Sequence, residues 1–226
     1  MWLIRLLGTG KAGENIMTIS EEREEYWIFG YGSLLFKPPP HYDLRVPGYV
    51  QGYVRRFWQS SIDHRGVPGA PGRVLTLIEK SYWETLDDPH PSSDDDITWG
   101  VAYRIVPEKV DYVKEYLDIR EQNGYSVHTV PFHVDKTGTT DERIAGLPKS
   151  IPCVVYIGTP ENEAFVGPQE PEELARHILN SRGPSGENKE YLYKLAEALK
   201  ELPPQAHDHH IEDLVSIAKR LENQQA

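Results

Sequence analysis

The sequence is poor in cysteine, in long apolar runs and in positive charge, and each shortage argues against a class of protein. Cys153 is the one cysteine, so no intramolecular disulfide can form, which is typical of a reducing compartment. No apolar run approaches the roughly 20 residues of a membrane-spanning helix. The 35 acidic and 24 basic side chains give a formal net charge of −11, which disfavours nonspecific binding to nucleic acid or anionic membranes. We therefore expect a cytoplasmic protein with neither nucleic-acid nor membrane partners.

The chain is predicted to form one domain behind an N-terminal extension. Its 226 residues suit a single domain with a sizeable core, which we place at residues 25–223. Residues 1–24 are predicted to be disordered: Met1–Leu7 is apolar but short, no clear signal-peptide cleavage region follows, and Met17 is an alternative start. Asp87–Asp96, rich in Asp, Pro and Ser, is predicted to be a mobile surface insertion.

Strand signals dominate the first half of the chain and helix signals the end. Strands are predicted at Val46–Arg56, Arg73–Glu79, Thr98–Val106, Val127–Val134 and Ile151–Gly158. Helices are predicted at Val106–Tyr125, Glu170–Ser181, Asn188–Glu201 and Asp208–Asn223, with a polar loop at Asp135–Ser150. This order indicates an α+β fold with a mixed or barrel-like sheet flanked by helices.

A glycine-rich strand end near the start of the chain is the first candidate for a binding site. Tyr26–Leu35 begins with an apolar and aromatic run that predicts a buried strand, then places Gly30 and Gly32 around a tyrosine. Glycines there allow a sharp turn whose backbone N–H groups can hold an anion or an oxyanion. The competing interpretation is an ordinary turn. The segment lacks the Gly-x-Ser-x-Gly pattern, so Ser33 is not predicted to be a nucleophile.

A glutamate at the end of a predicted helix is the candidate for chemistry. In Val106–Tyr125, the residues Val110, Val113 and Leu117 define a buried face. Glu121 follows four residues after Leu117 and falls on the same face, where burial would raise its pKa toward neutrality, as general acid/base catalysis requires. The competing interpretation is that Glu121 lies in a fraying last turn and pairs with an arginine.

Two polar runs admit more than one interpretation. The arginine-rich and aromatic run Arg55–Arg73 suits carboxylate recognition, but buried pairing of Arg55 or Asp63 that ties loops together fits equally well. The run His207–His210 is interpreted as a solvated helix cap with Asp208 as N-cap, because no Cys/His spacing elsewhere supports zinc.

Two further segments carry weaker signals. Gly183–Asn188 precedes a helix but lacks the Gly-Lys-Ser/Thr of a P-loop, so no nucleotide is expected. Tyr156 ends a predicted strand, where its hydroxyl either enters a site or lies at a half-buried edge. We expect neither a metal nor a cofactor, and the sequence leaves the oligomeric state open.

Taken together, these motifs resemble one protein family. They are Phe29–Leu34, Arg56–Gln59, Asp63–Gly66, Pro71–Arg73, Tyr116–Leu117 with Arg120–Glu121, and Gly183–Gly186 with Tyr191–Leu192. In this order they resemble the glutathione-specific branch of the ChaC-type γ-glutamylcyclotransferases, and among these the fungal members. The resemblance runs from about Tyr26 to the C-terminal helix and leaves out the N-terminal extension and the acidic insertion.

The resemblance implies a lyase that cleaves reduced glutathione to 5-oxoproline and cysteinylglycine, on a γ-glutamylcyclotransferase fold. It implies Glu121 as catalytic acid/base and a substrate-binding segment made of Ile28, Phe29, Gly30, Tyr31, Gly32, Ser33 and Leu34. Tyr156 is a candidate hydroxyl donor, and Arg73 is a candidate to attract the glycine carboxylate. The alternatives are a noncatalytic protein that binds glutathione or γ-glutamyl groups, and a cyclotransferase for other γ-glutamyl compounds.

Overall fold

A closed barrel of strands lies at the centre of the computed structural model, which describes residues 25–89, 97–121 and 124–225. Its strands are β1 (Tyr26–Gly30), β2 (Tyr42–Gln51), β5 (Ile97–Ile105), β6 (Ser126–Val134) and β7 (Ser150–Ile157). Their order around the barrel is β1-β5-β2-β6-β7, with antiparallel neighbours except for β7 and β1, which run parallel and close it. The predicted extension at residues 1–24 and most of the acidic insertion lie outside the described residues.

Two small sheets and several helices surround the barrel. The sheets pair β3 (Tyr53–Ser61) with β4 (Gly72–Glu79), and β8 (Arg182–Gly183) with β9 (Gly186–Glu187). The helices are α1 (Lys80–Trp83), α2 (Val110–Arg120), α3 (Glu142–Ala145), α4 (Pro171–Asn180), α5 (Asn188–Lys200) and α6 (His209–Gln225), with 3₁₀ turns at Ser33–Leu35 and Pro107–Lys109. The prediction of an α+β fold with a barrel-like sheet and flanking helices is confirmed.

The last three helices pack together through apolar faces with helical spacing. Leu174 and Ile178 of α4 are fully buried, and α4 packs against both α5 and α6. On α6, Leu214, Ala218 and Leu221 recur at intervals of three or four residues and are almost completely buried. This apolar stripe holds the C-terminal helix against the body of the protein.

The predicted strand Val46–Arg56 is wrong as a single element. The chain turns at Gly52, whose φ of +79° is a left-handed conformation that favours glycine. Residues before this turn belong to β2 of the barrel, and residues after it belong to β3 of the neighbouring sheet. Because both halves are rich in β-branched and aromatic residues, propensity alone did not reveal the break.

Three segments are more ordered than the sequence indicated. The short helices α1 and α3 were missed because four residues carry almost no periodic signal. The predicted mobile insertion Asp87–Asp96 begins with an anchored residue, which corrects that prediction at Asp88. The Asp88 carboxylate accepts hydrogen bonds from Arg56 Nε and Trp83 Nε1, both at 2.7 Å, and its side chain is only 2% exposed.

The barrel wall leaves no room for a side chain at Gly48, where β2 pairs with β6. A Cβ there would lie 2.1 Å from the carbonyl oxygen of His133 and 2.5 Å from the Phe132 ring. We expect Gly48→Ala to lower the free energy of unfolding in urea by about 1–3 kcal/mol, the usual effect of overpacking. Gly146→Ala, at the end of α3, is the matched control, because its nearest neighbour would lie at 3.3 Å. Equal stability of the two variants would contradict this account of the barrel wall.

Candidate active site

A cavity of about 120 Å³ opens beside the end of β1 and brings together segments that are distant in sequence. Its wall includes the turn after β1, the residue that follows α2, and residues from β3, β4, β7 and α5. Of the predicted site residues, the cavity is lined by Phe29, Tyr31, Gly32, Ser33, Leu34, Glu121 and Tyr156. The two main candidates from the sequence, the glycine turn and the helix-end glutamate, therefore face the same space.

The glycine turn, Gly30–Leu35, presents backbone N–H groups at the start of its 3₁₀ turn. A Cβ on Gly30 would lie 2.8 Å from Leu34 Cβ, so glycine is needed for the chain to fold back this closely. The first intra-turn bond runs from Leu35 N–H to the Gly32 carbonyl. The N–H groups of Ser33 and Leu34 precede that bond, and neither donates to another group in the described part of the chain.

The turn is held from outside by buried side chains. Arg55 donates from Nη1 to the Tyr31 carbonyl at 2.7 Å, and Tyr103 donates its hydroxyl to the Leu34 carbonyl at 2.8 Å. The hydroxyl of Tyr31 donates to the Tyr156 carbonyl at 2.8 Å. Because a peptide group is planar, fixing the Tyr31 and Leu34 carbonyls fixes the N–H groups of Gly32 and Leu35, which flank the N–H groups of Ser33 and Leu34.

The guanidinium of Arg55 also connects the turn to the C-terminal helix. Its Nε donates to the Asp208 carboxylate at 2.7 Å, and the Arg55 side chain is only 2% exposed. The other Asp208 oxygen accepts from Ile211 N–H at 3.1 Å, so the N-cap prediction for Asp208 is confirmed. Of the two interpretations of Arg55, buried pairing is correct, but its partner is Asp208 rather than an aspartate nearby in sequence.

The interpretation of His207–His210 as solvated is wrong for His210. The His210 side chain is buried, and its Nε2 accepts a hydrogen bond from Phe57 N–H at 3.1 Å. The sequence did not reveal this contact, because its partner lies in β3, far away along the chain.

Glu121 caps the C-terminus of α2 and turns its carboxylate into the cavity. Its side chain is 17% exposed, and Oε1 lies 3.5 Å from Arg120 Nε. Burial raises the pKa of Glu121 above its ordinary value, the positive charge of Arg120 opposes this effect, and the nearby Asp63 carboxylate raises the pKa further. The predicted burial and the competing pairing with an arginine thus occur together in Glu121, and its role as acid/base stays a prediction.

Arg120 and His64 were missed as site residues by the sequence reasoning. Arg120 Nη2 donates to Ser33 Oγ at 2.6 Å and Nη1 donates to the Lys37 carbonyl at 3.1 Å, so one guanidinium joins the glycine turn to Glu121. His64 Nε2 lies 3.0 Å from the Arg120 carbonyl oxygen. Both residues belong to the motifs that carry the family resemblance, and this was the available signal. Their partners lie far away along the chain, so the spacing of residues within a motif could not reveal these contacts.

Neutral tyrosines line the inner wall of the cavity. Burial raises the pKa of Tyr31, Tyr125 and Tyr191, so all three hydroxyls keep their protons at neutral pH. The Tyr125 hydroxyl donates to the Leu75 carbonyl at 2.9 Å. The Tyr156 hydroxyl donates to Asp118 Oδ1 at 2.9 Å, so this predicted hydroxyl donor already has an acceptor in the protein.

Three predicted substrate-binding residues do not line the cavity. Ile28 is completely buried inside the barrel. Gly30 faces Leu34 and the Tyr103 ring rather than the cavity. Arg73 requires a correction: its Nε donates to Gln169 Oε1 at 2.8 Å and its Nη1 to the Gly72 carbonyl at 3.1 Å. Those contacts hold the guanidinium against the protein, so the structure gives Arg73 no place at the cavity.

Comparison with known proteins places this chain in a family. A family model described as ChaC-like protein matches residues 26–221. The chain belongs to the ChaC-like family. Two similar relatives are glutathione-specific gamma-glutamylcyclotransferases. The one from Saccharomyces cerevisiae is 41% identical over 208 residues, covering 82% of this chain and 90% of that protein. The one from Schizosaccharomyces pombe is 43% identical over 194 residues, covering 86% and 92%.

A solved structure supports the same placement. The crystal structure of a γ-glutamyl cyclotransferase specific to glutathione from yeast matches with a TM-score of 0.78 at 40% sequence identity. The match covers 87% of this ChaC-like chain and 96% of the yeast chain. The predicted γ-glutamylcyclotransferase-like fold is thereby confirmed. In the part of the ChaC-like chain that the structure describes, no helix has both the length and the apolar character needed to cross a membrane.

The raised pKa of Glu121 means that ionisation of this side chain destabilises the folded state relative to the unfolded chain. The folded protein keeps the Glu121 proton to a higher pH than the unfolded chain does, so stability is lost as pH rises from the ordinary carboxyl pKa through the raised one. We expect Glu121→Gln to raise the free energy of unfolding at pH 7, because the amide has no charge to desolvate.

Urea unfolding at pH 7 and at pH 4 measures this effect. The advantage of Glu121→Gln should shrink at the lower pH, where the parent carboxyl is protonated in both states. Glu115→Gln, on the exposed face of α2, is the matched control and should change little. A Glu121→Gln variant that is less stable than the parent at pH 7 would mean that the pairing with Arg120 outweighs desolvation.

Proposed function

We propose that this protein is a lyase, a γ-glutamylcyclotransferase that degrades reduced glutathione to 5-oxoproline and cysteinylglycine. One observation carries the proposal: a desolvated carboxylate, Glu121, faces the same cavity as the uncommitted N–H groups of the glycine turn. The similar relatives from the two yeasts bear the name of this activity. Glutathione is therefore the substrate that we assign to the site.

The first step is deprotonation of the substrate amine. The α-amine of the γ-glutamyl group is an ammonium at neutral pH and has no lone pair for attack. Glu121 accepts a proton from it, and the free amine attacks the γ-carbonyl carbon of the same glutamyl group. A five-membered ring forms, and the carbonyl oxygen becomes an oxyanion. Because nucleophile and electrophile belong to one molecule, the site mainly has to hold the folded conformer.

The second step breaks the γ-glutamyl bond. The oxyanion collapses to a carbonyl, the bond to the cysteinyl nitrogen breaks, and Glu121 gives that nitrogen the proton it took from the amine. The ring nitrogen carries two protons after the attack, and it releases one of them to the newly ionised Glu121, which passes it to the departing amine or to solvent. The N–H groups of Ser33 and Leu34 are assigned to the α-carboxylate or to the developing oxyanion. Tyr156 lines the same cavity and is retained as a contact of the substrate, through its ring, since its hydroxyl bonds to Asp118.

The raised pKa of Glu121 suits this double role. A carboxylate with an ordinary pKa is a weak base toward an ammonium, whereas desolvation brings the two groups closer in proton affinity. Arg120 keeps enough ionised carboxylate available by offsetting part of the cost of burial. A cytoplasmic location is part of the proposal, because reduced thiols are maintained there and the chain has a single cysteine.

The direct test incubates the purified protein with reduced glutathione and follows 5-oxoproline and cysteinylglycine by mass spectrometry. We expect both products from the parent protein and from Glu115→Gln, and none from Glu121→Gln, which still folds. The rate should fall as pH drops through the raised pKa of Glu121, because only the ionised form accepts a proton. An active Glu121→Gln enzyme would refute the assignment of the base.

Other outcomes would select the alternatives. Binding of glutathione to the parent protein without turnover would indicate a noncatalytic binding protein. Turnover of γ-glutamyl dipeptides in preference to glutathione would indicate a cyclotransferase for other γ-glutamyl compounds.

The glycine turn gives a second test at Gly32. A Cβ there would lie 3.0 Å from the Tyr191 hydroxyl and 3.8 Å from Leu75, and the branches of a valine add bulk in a position that lines the cavity. We expect Gly32→Val to raise KM for glutathione at least about fivefold, since a buried clash of this kind costs about 1–3 kcal/mol. Thermal unfolding checks that the variant folds, and an unchanged KM in a folded variant would assign the turn a purely structural role.

A further inference from the structure

Lys37, Arg65 and Arg120 are the permanent cations that line the described part of the cavity, and two of them are already engaged. Arg120 contacts Ser33 and Glu121, as described above. Arg65 donates to the Glu187 carbonyl at 2.9 Å and lies 3.6 Å from the Glu190 carboxylate. Both guanidinium groups thus serve the protein itself, and the ammonium of Lys37 is what remains for a ligand.

The Lys37 side chain is exposed at the cavity and forms no ion pair or hydrogen bond with the described residues. Its backbone, in contrast, is fixed at both ends. Lys37 N–H donates to the Ser33 carbonyl at 2.8 Å, and its own carbonyl accepts from Arg120 at 3.1 Å. The ammonium therefore extends from an anchored position directly after the glycine turn, and its charge helps to lower the pKa of Glu121.

A substrate with two carboxylates needs such a cation. Glutathione carries one ammonium and two carboxylates at neutral pH, so it is a net anion, whereas the chain carries a formal charge of −11. The reacting γ-glutamyl end is assigned to the glycine turn and Glu121. The glycine carboxylate at the other end needs a cation of its own, because the chain as a whole is acidic and the Asp63 carboxylate also lines the cavity. Arg73 does not reach this space.

Resting on the proposed function, we propose that Lys37 binds the glycine carboxylate of glutathione and thereby selects tripeptides that end in a free carboxylate. The ammonium and this carboxylate form a charge-assisted hydrogen bond at the mouth of the cavity. Lys37 is a specificity-determining residue and takes no part in proton transfer, which remains with Glu121.

The experiment pairs a change in the protein with a change in the substrate. KM and kcat are measured with glutathione and with its glycine ethyl ester, for the parent protein, Lys37→Met and Lys37→Arg. Lys149→Met is the matched control for the change in net charge. Lys149 precedes β7 at the end opposite Tyr156, roughly 20 Å away at the rise of a strand, and it does not line the cavity.

We expect the parent protein to show a KM about three- to tenfold higher for the ester than for glutathione, with kcat little changed. Lys37→Met should show the higher KM for both substrates, so that the difference between them disappears. Lys37→Arg and Lys149→Met should retain the preference for the free carboxylate.

Two other results would overturn the proposal, and they differ from each other. If Lys37→Met still discriminates between glutathione and the ester as strongly as the parent protein does, Lys37 does not bind the glycine carboxylate. If the parent protein forms 5-oxoproline from neither substrate, the proposed function itself fails and this inference fails with it.

Discussion

The arrangement of the site depends on holding one desolvated carboxylate, that of Glu121, beside the cavity. Glu121 lies at the C-terminus of α2, which is the negative end of the helix dipole, and little of its side chain meets water. The helix dipole and the loss of hydration both make the ionised form of Glu121 less stable. Arg120 supplies positive charge beside it through an ion pair at 3.5 Å, which is longer than a bidentate hydrogen-bonded pair. The carboxylate is therefore left able both to hold and to release a proton, which a tight bidentate pair would prevent.

The same arginine makes the geometry of the site depend on distant parts of the chain. Arg120 bonds to the glycine turn through Ser33, and the turn is held on its other side by Arg55. Because Arg55 is also paired with Asp208, the N-terminus of α6 takes part in fixing the turn. The C-terminal helix lines no part of the described cavity, yet its packing sets the position of the backbone that faces it. The buried ion pair of Arg55 and Asp208 thus couples the packing of α6 to the position of the glycine turn.

Local sequence patterns predicted the parts of this arrangement that local physics determines. Helical spacing placed Glu121 near the buried face of α2, and glycine placement revealed the turn, because both depend on residues within a few positions of one another. The partner of Arg55 and the location of Arg73 depend on which strands and helices meet, and spacing carries no such information. The break at Gly52 was missed for a related reason, since propensity is the same on both sides and only the change of sheet distinguishes them. The resemblance of motifs supplied the reaction, which the residues alone left open.

The nucleophiles near this site argue for a reaction in which the substrate attacks itself. Ser33 lies in the cavity wall, but its hydroxyl oxygen accepts a 2.6 Å hydrogen bond from a guanidinium, which withdraws electron density from it. Cys153 is fully buried in the barrel, where desolvation raises the pKa of its thiol, so it stays protonated and unreactive. Neither Ser33 nor Cys153 is therefore a nucleophile that a base with a raised pKa could activate beside this turn. Such an arrangement suits a substrate that brings its own nucleophile, as an α-amine positioned over its own γ-carbonyl does.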